Sequence, residues 1–370
     1  MNNSALSFIT KEDGEEKAEI LRMKQPFVKG MVKTAAGEVP QVGPSLTFAD
    51  HFGTFKVRWN IGRHRYIVEP GLYALGYPDD ASPVLVTANY KMSFDRLRDS
   101  LKNFDAWILV LDTDGVNVWC SAGKKTFGTE GLVRRIKASG LEKVVSQRQL
   151  IVPQLAGPGI SAHDVKSKSG FKVIYGPIRA SDLIAFCNSG LKATKAMRRK
   201  TFDLKERLGL IPVELTAAFK WVLLISLALF LIGGFRHAGW TWTGSLDYGL
   251  FAVFAVFSSF FAGALLTPLL LPWLPGRAFS IKGMTTGLIT SLTIIAFRFP
   301  IAGTLYEYFE ILGLVFLGTA FSAYLAMNFT GASTYTSLSG VKKEMKWAVP
   351  LEIGGGLIGL CLWLSPLFFI

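Results

Sequence analysis

The chain has 370 residues, with 40 Lys and Arg against 27 Asp and Glu, and a formal net charge of +13. That length accommodates two domains, and the charge is divided unevenly between them: 32 of the basic and 21 of the acidic residues precede residue 213. Three cysteines, Cys120, Cys187 and Cys361, form no Cys-x-x-Cys pair. This excludes a disulfide framework, a structural zinc site and an iron–sulfur cluster in this chain.

The first 30 residues are charged and lack an apolar core segment, so no cleavable signal peptide is expected and the amino terminus is expected to stay in the cytoplasm. Residues 1–54 carry charges, glycines and prolines without a sustained period and read as a partly flexible extension. From about 55 to 191 short β-rich runs alternate with amphipathic segments. Val84-Leu85-Val86 reads as a strand, Phe94, Leu97, Leu101 and Phe104 fall at helical spacing, and Ile108 to Leu111 reads as a buried strand. Thr129 is placed to cap a helix presenting Leu132, Val133 and Ile136. Strands near 149–152 and 171–175 come next, then a helix from Ala180 to Cys187 opened by Ser181 or Asp182. The alternation predicts an α/β domain with a mostly parallel sheet, whose ligand site lies outside the carboxyl ends of the strands.

That rule gathers four strand-end segments on one rim: Thr87 to Asn89, Asp112 to Gly115, Gln154 to Gly159, and Tyr175 to Pro177. Gly157-Pro158-Gly159 and Gly176-Pro177 are rigid turns through which backbone amides could approach a flat ligand. From the second segment hangs Asn117-Val118-Trp119-Cys120-Ser121-Ala122-Gly123-Lys124. Asn117 suits a helix amino end, and a thiol in the first helical turn, near Lys124 and Lys125, is favoured as a thiolate. Such a cysteine can be a soft-metal ligand, a nucleophile or a small packing residue, and the residues alone leave all three open. His51, His64 and His163 keep a Cys–His pair possible, although no family signature supports one. Gly123-Lys124 does not end a phosphate-binding loop, because Val118 stands where that loop needs glycine, and no Gly-x-Gly-x-x-Gly follows a strand.

Residues 192–212 form a basic linker with Lys192, Lys195, Arg198, Arg199, Lys200, Lys205 and Arg207. Its position beside an apolar span, without a nucleic-acid motif, points to anionic lipid headgroups and away from nucleic acid. Residues 213–370 contain five apolar stretches, near 215–235, 249–271, 281–299, 305–327 and 349–370. An all-α membrane domain of five helices is expected. With the basic cluster, Arg277, Lys282, Lys342, Lys343 and Lys346 inside, the carboxyl terminus falls outside the cytoplasmic membrane. Glu307, Glu310, Glu352 and Lys220 lie mostly near span ends, so the spans read as an anchor rather than a conduit. Cys187 and Cys361 read as packing residues. The segment from Asn328 to Lys346 reads as a long loop able to dock a partner.

The octapeptide Asn117 to Lys124 resembles the cap-helix signature of the mercury-methylating corrinoid protein family (HgcA), whose members join a corrinoid-binding Rossmann-like domain to five membrane spans. Further similar stretches are Gln154 to Gly159 with Ala162-His163, Gly170-Phe171 with Tyr175 to Ala180, and Asn328 to Gly331 with Ser339 to Met345. These also resemble the large subunit of the corrinoid iron–sulfur protein. The resemblance covers about residues 55–370 and departs from the family at Ser121, where alanine is frequent and where a side chain facing the macrocycle is expected, and at Lys125, where glycine is common.

The resemblance implies that Cys120 is the lower axial ligand of cobalt and the catalytic residue in methyl transfer to Hg(II). It implies that Asn117, Val118, Trp119, Ser121, Ala122, Gly123 and Lys124 with Thr87, Asn89, Thr113, Gly157, Pro158, Tyr175 and Gly176 line the corrinoid site. Trp119 and Val118 would exclude water. It also implies a small ferredoxin partner with two [4Fe-4S] clusters and a methyl donor from the methyl-folate pathway. The alternative readings are a corrinoid methyl carrier of one-carbon metabolism with another acceptor and a non-catalytic membrane-anchored binding protein. The Asp-x-His-x-x-Gly cobalamin signature is absent.

Overall fold

The computed structural model describes residues 24–235, 239–301, 303–329 and 338–366. The chain divides into two compact units, one formed by the residues up to Lys200 apart from Arg58–Asn60, the other by Arg58–Asn60 with Thr201 onward.

The first unit is built on a seven-stranded sheet. Its strands are β1 (Val28–Thr34), β2 (Gly37–Val42), β3 (Gly71–Leu75), β4 (Val84–Ala88), β5 (Ala106–Leu111), β6 (Gln149–Val152) and β7 (Lys172–Tyr175), in the order β1-β2-β3-β5-β4-β6-β7. The four strands β5, β4, β6 and β7 run parallel, whereas β3 pairs antiparallel with β5, β2 parallel with β3 and β1 antiparallel with β2. The sheet is therefore mixed and richer in parallel pairs. Its helices are α1 (Phe48–Arg58), α2 (Lys91–Asp99), α3 (Val118–Lys124), α4 (Thr129–Ala138), α5 (Leu141–Val144), α6 (Ala162–Ser169) and α7 (Leu183–Asn188).

Every residue of β3, β4 and β5 is buried, because successive side chains enter cores on opposite faces. Val84, Val86, Leu109 and Leu111 pack with Leu132, Val133 and Ile136 of α4 and with Val165 of α6. Leu85, Ile108 and Val110 pack with Phe94 and Leu97 of α2 and with Phe186 of α7. Continuous apolar runs of this kind carry no alternation, yet each has two faces to fill.

Residues 28–42, without a sustained period in the sequence, form a hairpin that extends the sheet. The segment beyond the hairpin and helix α1 are pinned by charge. Lys91 Nζ lies 2.5 Å from Asp50 Oδ1 and 2.6 Å from Asp95 Oδ2, and Arg98 reaches Asp50 Oδ2 at 2.8 Å and Asp95 Oδ1 at 2.9 Å. Arg98 Nη1 also donates to the carbonyls of Gly43 and Ser45. Paired and hydrogen-bonded on all sides, these groups tolerate burial that isolated charges would not. Only residues 1–23 of the expected extension lie outside the described residues.

Among its described residues the second unit contains five helical segments long and apolar enough to cross a membrane: Leu204–Gly233, Trp242–Leu270, Phe279–Arg298, Leu305–Asn328 and Gly340–Leu364. Close helix packing is made possible by small residues. A Cβ on Gly283 would meet the Ser322 carbonyl at 2.6 Å, and one on Gly287 the Gly318 carbonyl at 2.6 Å. Thr267, Thr286 and Ser322 join their hydroxyls across these helices. Two expectations change here. Lys342, Lys343 and Lys346 lie on the helix Leu338–Leu364 rather than in a loop, since the charged turn continues an apolar helix; the remainder of that loop, 330–337, lies outside the described residues. Glu352 sits well inside the last span rather than near an end, and both its carboxylate oxygens are buried without a hydrogen-bond partner.

Candidate functional site

The parallel pairing brings the carboxyl ends of β4, β5, β6 and β7 to one rim, as Ala88 opposite Leu111 and Val152 opposite Tyr175 show. The loop after β5 is held there by one side chain. Asn89 Oδ1 accepts from Thr113 N at 3.0 Å, Thr113 Oγ1 at 2.8 Å and Gly115 N at 3.0 Å, while Asn89 Nδ2 donates to Asp112 Oδ1 at 3.1 Å. Asn89, Thr113 and Thr87 are all buried. Asn89 and Thr113 thus shape the rim by fixing the loop, and their polar atoms point at one another.

This loop delivers α3. Asn117 is its amino-terminal cap, accepting the backbone N–H of Cys120 at 2.9 Å. Val118, Ser121 and Ala122 turn into the core, while Trp119 and Cys120 are half-buried and Gly123 and Lys124 are exposed. Ser121 therefore does not face outward as expected. It is fully buried, and its hydroxyl donates to the Asn117 carbonyl at 2.6 Å, because its helical position points at the sheet. Val118 likewise joins the core beneath α3 rather than a water-excluding wall above it.

The exit of the helix is equally defined. Lys125 adopts a left-handed conformation with φ 65°, a region that costs a side-chain-bearing residue about 1 kcal/mol or more. Phe127 N returns to the Ser121 carbonyl. Gly159 lies so close that a Cβ there would meet the Phe127 carbonyl at 2.2 Å and the Ala122 carbonyl at 3.0 Å. The glycine of this turn thus admits the backbone of α3 and of the turn at its exit. Thr129 does not cap α4. Gly128 occupies the cap position, and the Thr129 hydroxyl accepts from Ser161 N at 2.9 Å.

Of the remaining predicted site residues, Gly157 and Pro158 are exposed. The Tyr175 hydroxyl donates to the Ile160 carbonyl at 2.6 Å, and burial pushes its pKa up. Gly176 is buried, with space for a Cβ already taken by Ile151 Cγ2 at 2.9 Å, so it packs against the sheet. An open cavity of about 590 Å³ lies on the rim beside α3, lined by Asp112, Asp114, Lys125, Arg134, Pro158 and the amino-terminal turn of α4. Of the predicted binding residues only Pro158 lines it. Asp112 and Asp114 were signalled by their strand-end position, whereas nothing in the spacing marked Arg134.

His51, His64 and His163 are exposed, and among the described residues none is hydrogen-bonded to the Cys120 thiol. No cluster of three or more His, Cys, Asp or Glu side chains able to hold a metal occurs among the described residues. Cys187 is half-buried in the second core, where burial raises its pKa, and Cys361 is exposed on the last span. A lone sulfur, half-buried at the start of an anchored helix, is suited to a single bond to a soft metal whose other ligands come with it.

Residues 59–187 match the family described as the CO dehydrogenase/acetyl-CoA synthase delta subunit. The acetyl-CoA decarbonylase/synthase complex subunit gamma of Methanopyrus kandleri is 36% identical over 121 residues, 32% of this chain and 26% of the relative. The same subunit of Methanothermobacter thermautotrophicus is 32% identical over 151 residues, 40% of this chain and 31% of the relative. The corrinoid/iron-sulfur protein large subunit of Moorella thermoacetica is 26% identical over 126 residues, 34% and 28% respectively. The chain is related to these proteins, and it spans between a quarter and a third of the length of the relatives it matches. The family match runs from directly after α1 to within α7, so it contains the whole rim and α3 and none of the five apolar helices.

Proposed function

We propose that this chain is a membrane-bound corrinoid protein that accepts a methyl group and passes it on, with Cys120 as the lower axial ligand of cobalt. The observation that carries this reading is the half-buried Cys120 thiol in the first turn of α3, on the carboxyl rim of the sheet, in a chain whose sequence is related to a corrinoid/iron-sulfur protein large subunit. A bound corrinoid supplies a cobalt atom that can hold a methyl group between donor and acceptor.

The chain's own residues do the rest. Asn117 fixes the first turn and so sets the position of the sulfur. Trp119 is half-buried beside Cys120, and exposed Gly123 and Lys124 leave room and positive charge for the amides or phosphate of the ligand. A thiolate at Cys120 would donate more electron density to a bound metal than an imidazole, which would suit methyl transfer to an electrophilic acceptor.

Two acceptors fit. Two of these relatives are named as subunits of an acetyl-CoA decarbonylase/synthase complex, which favours a carrier of one-carbon metabolism. The octapeptide Asn117 to Lys124 ahead of five apolar helices favours Hg(II), giving methylmercury. Either route needs a methyl donor, for which a methyl-folate component is proposed, and a low-potential reductant for cobalt, for which a small ferredoxin with two [4Fe-4S] clusters is proposed. The orientation that fits the positive-inside rule puts the first unit in the cytoplasm and the carboxyl terminus outside the cytoplasmic membrane.

The test is anaerobic expression with a matching ferredoxin, measuring bound cobalt and methylmercury for the unaltered chain and Cys120→Ala. Methylmercury from the unaltered chain alone supports the Hg(II) reading. A cobalt-loaded chain that yields none leaves the one-carbon carrier, and a chain that never binds cobalt defeats both.

A further inference from the structure

The helix α1 exposes an aromatic face remote in character from the candidate site. Phe48 is 83% exposed, Phe52 49% and Phe55 54%. Their spacings of four and three residues put them on one side of the helix, and the buried residues Asp50, Gly53 and Val57 hold the other side to the domain. The rings form a continuous strip, with Phe48 and Phe52 stacked at 6.2 Å between centroids and Phe52 and Phe55 at 6.4 Å.

Between Thr47 and Val68 the exposed charge has one sign. From Thr47 to Val68 the basic residues of this unit are Lys56, Arg63 and Arg65, and Asp50, the one acid, is buried and paired with Lys91 and Arg98. Lys56 Nζ reaches over the Phe52 ring, 5.2 Å from its centroid, which is how a long cation lies when its stem covers apolar surface and its head stays wet.

We propose that α1 lies in the headgroup region of the bilayer that the five apolar helices are suited to cross, aromatic face toward the acyl boundary and basic flanks on anionic headgroups. An 11-residue helix is too short to span a bilayer but suits the interface. A face of phenylalanines with lysine beside them is the composition of an interfacial helix. A bilayer is also the one partner whose presence the chain's own helices imply. The inference does not depend on which reaction the candidate site performs.

The test places the photoreactive residue p-benzoylphenylalanine at position 52 of the full chain, and for comparison at exposed Lys137 on α4, in nanodiscs of phosphatidylethanolamine with phosphatidylglycerol. Adducts are identified by mass after irradiation. Lipid adducts at position 52 about tenfold or more above those at position 137 are expected, with a comparable loss when Phe48→Ser and Phe55→Ser remove neighbouring rings. The substitutions are at exposed positions, so folding should survive. Equal adduct yields at the two positions, or adducts from position 52 only to protein, would overturn the proposal. A yield unchanged in discs of phosphatidylcholine alone would overturn the role given to anionic headgroups.

Discussion

Asn89 concentrates the geometry of the site in one oxygen, which accepts three hydrogen bonds while the residue is buried. Asn89→Ala would leave two buried N–H groups and a hydroxyl without that partner, and a loss of about 2–4 kcal/mol is expected in denaturant unfolding of the solubilised chain. Asn117→Ala removes only the cap of α3 and should cost about 1 kcal/mol. Lys125→Gly should act in the opposite direction. It relieves the left-handed strain at a small cost in unfolded-chain entropy, so a gain of about 0.5–1 kcal/mol is expected in the same assay. Asp50 sets an acid limit. Burial alone would raise its carboxyl, but the Lys91 ammonium and the Thr47 donors outweigh that and hold it well below the usual carboxylate range. A depressed carboxylate stabilises the fold fully above its unfolded value near 4 and loses that contribution as pH falls toward its folded value. Unfolding below about pH 4 should therefore be less steep in Asp50→Asn, from a lower starting stability.

Strands β4, β5, β6 and β7 and helix α4 were legible in the sequence because each is an apolar run or stripe bounded by turn residues, and the turn residues named the rim as well. The hairpin β1-β2 was not. Its burial alternates weakly at the sheet edge, and its partner β3 is distant in sequence, so only tertiary pairing defines it. At the site, the octapeptide announced a helix with Asn117 as cap, but spacing could not say which side of so short a helix faces the core. Val118, Ser121 and Ala122 proved to be the inner side. Strand-end position likewise marked Asn89 and Thr113 without distinguishing a residue that touches a ligand from one that braces the loop.

The five apolar helices make up much of the second unit, and a chain carrying them should stay in the membrane fraction through alkaline carbonate extraction and leave it only with detergent. Release by carbonate would count against the spans. Within this unit Cys361 is exposed on a helix side, and in the first unit Cys187 belongs to a core away from α3. Replacing both with serine should preserve cobalt binding and methyl transfer, whereas Cys120→Ala should abolish them under identical expression.

Mechanically, α3 is a short beam clamped at both ends: its entry is fastened by Asn89 and Asn117, and its exit is trapped where Gly159 meets the backbone of Ala122 and Phe127. Such a beam has little compliance along the direction in which Cys120 would reach for a metal. A ligand bonded to that sulfur must adjust its own position to the protein, and a change on the ligand's far side reaches the thiol as a force rather than as a displacement.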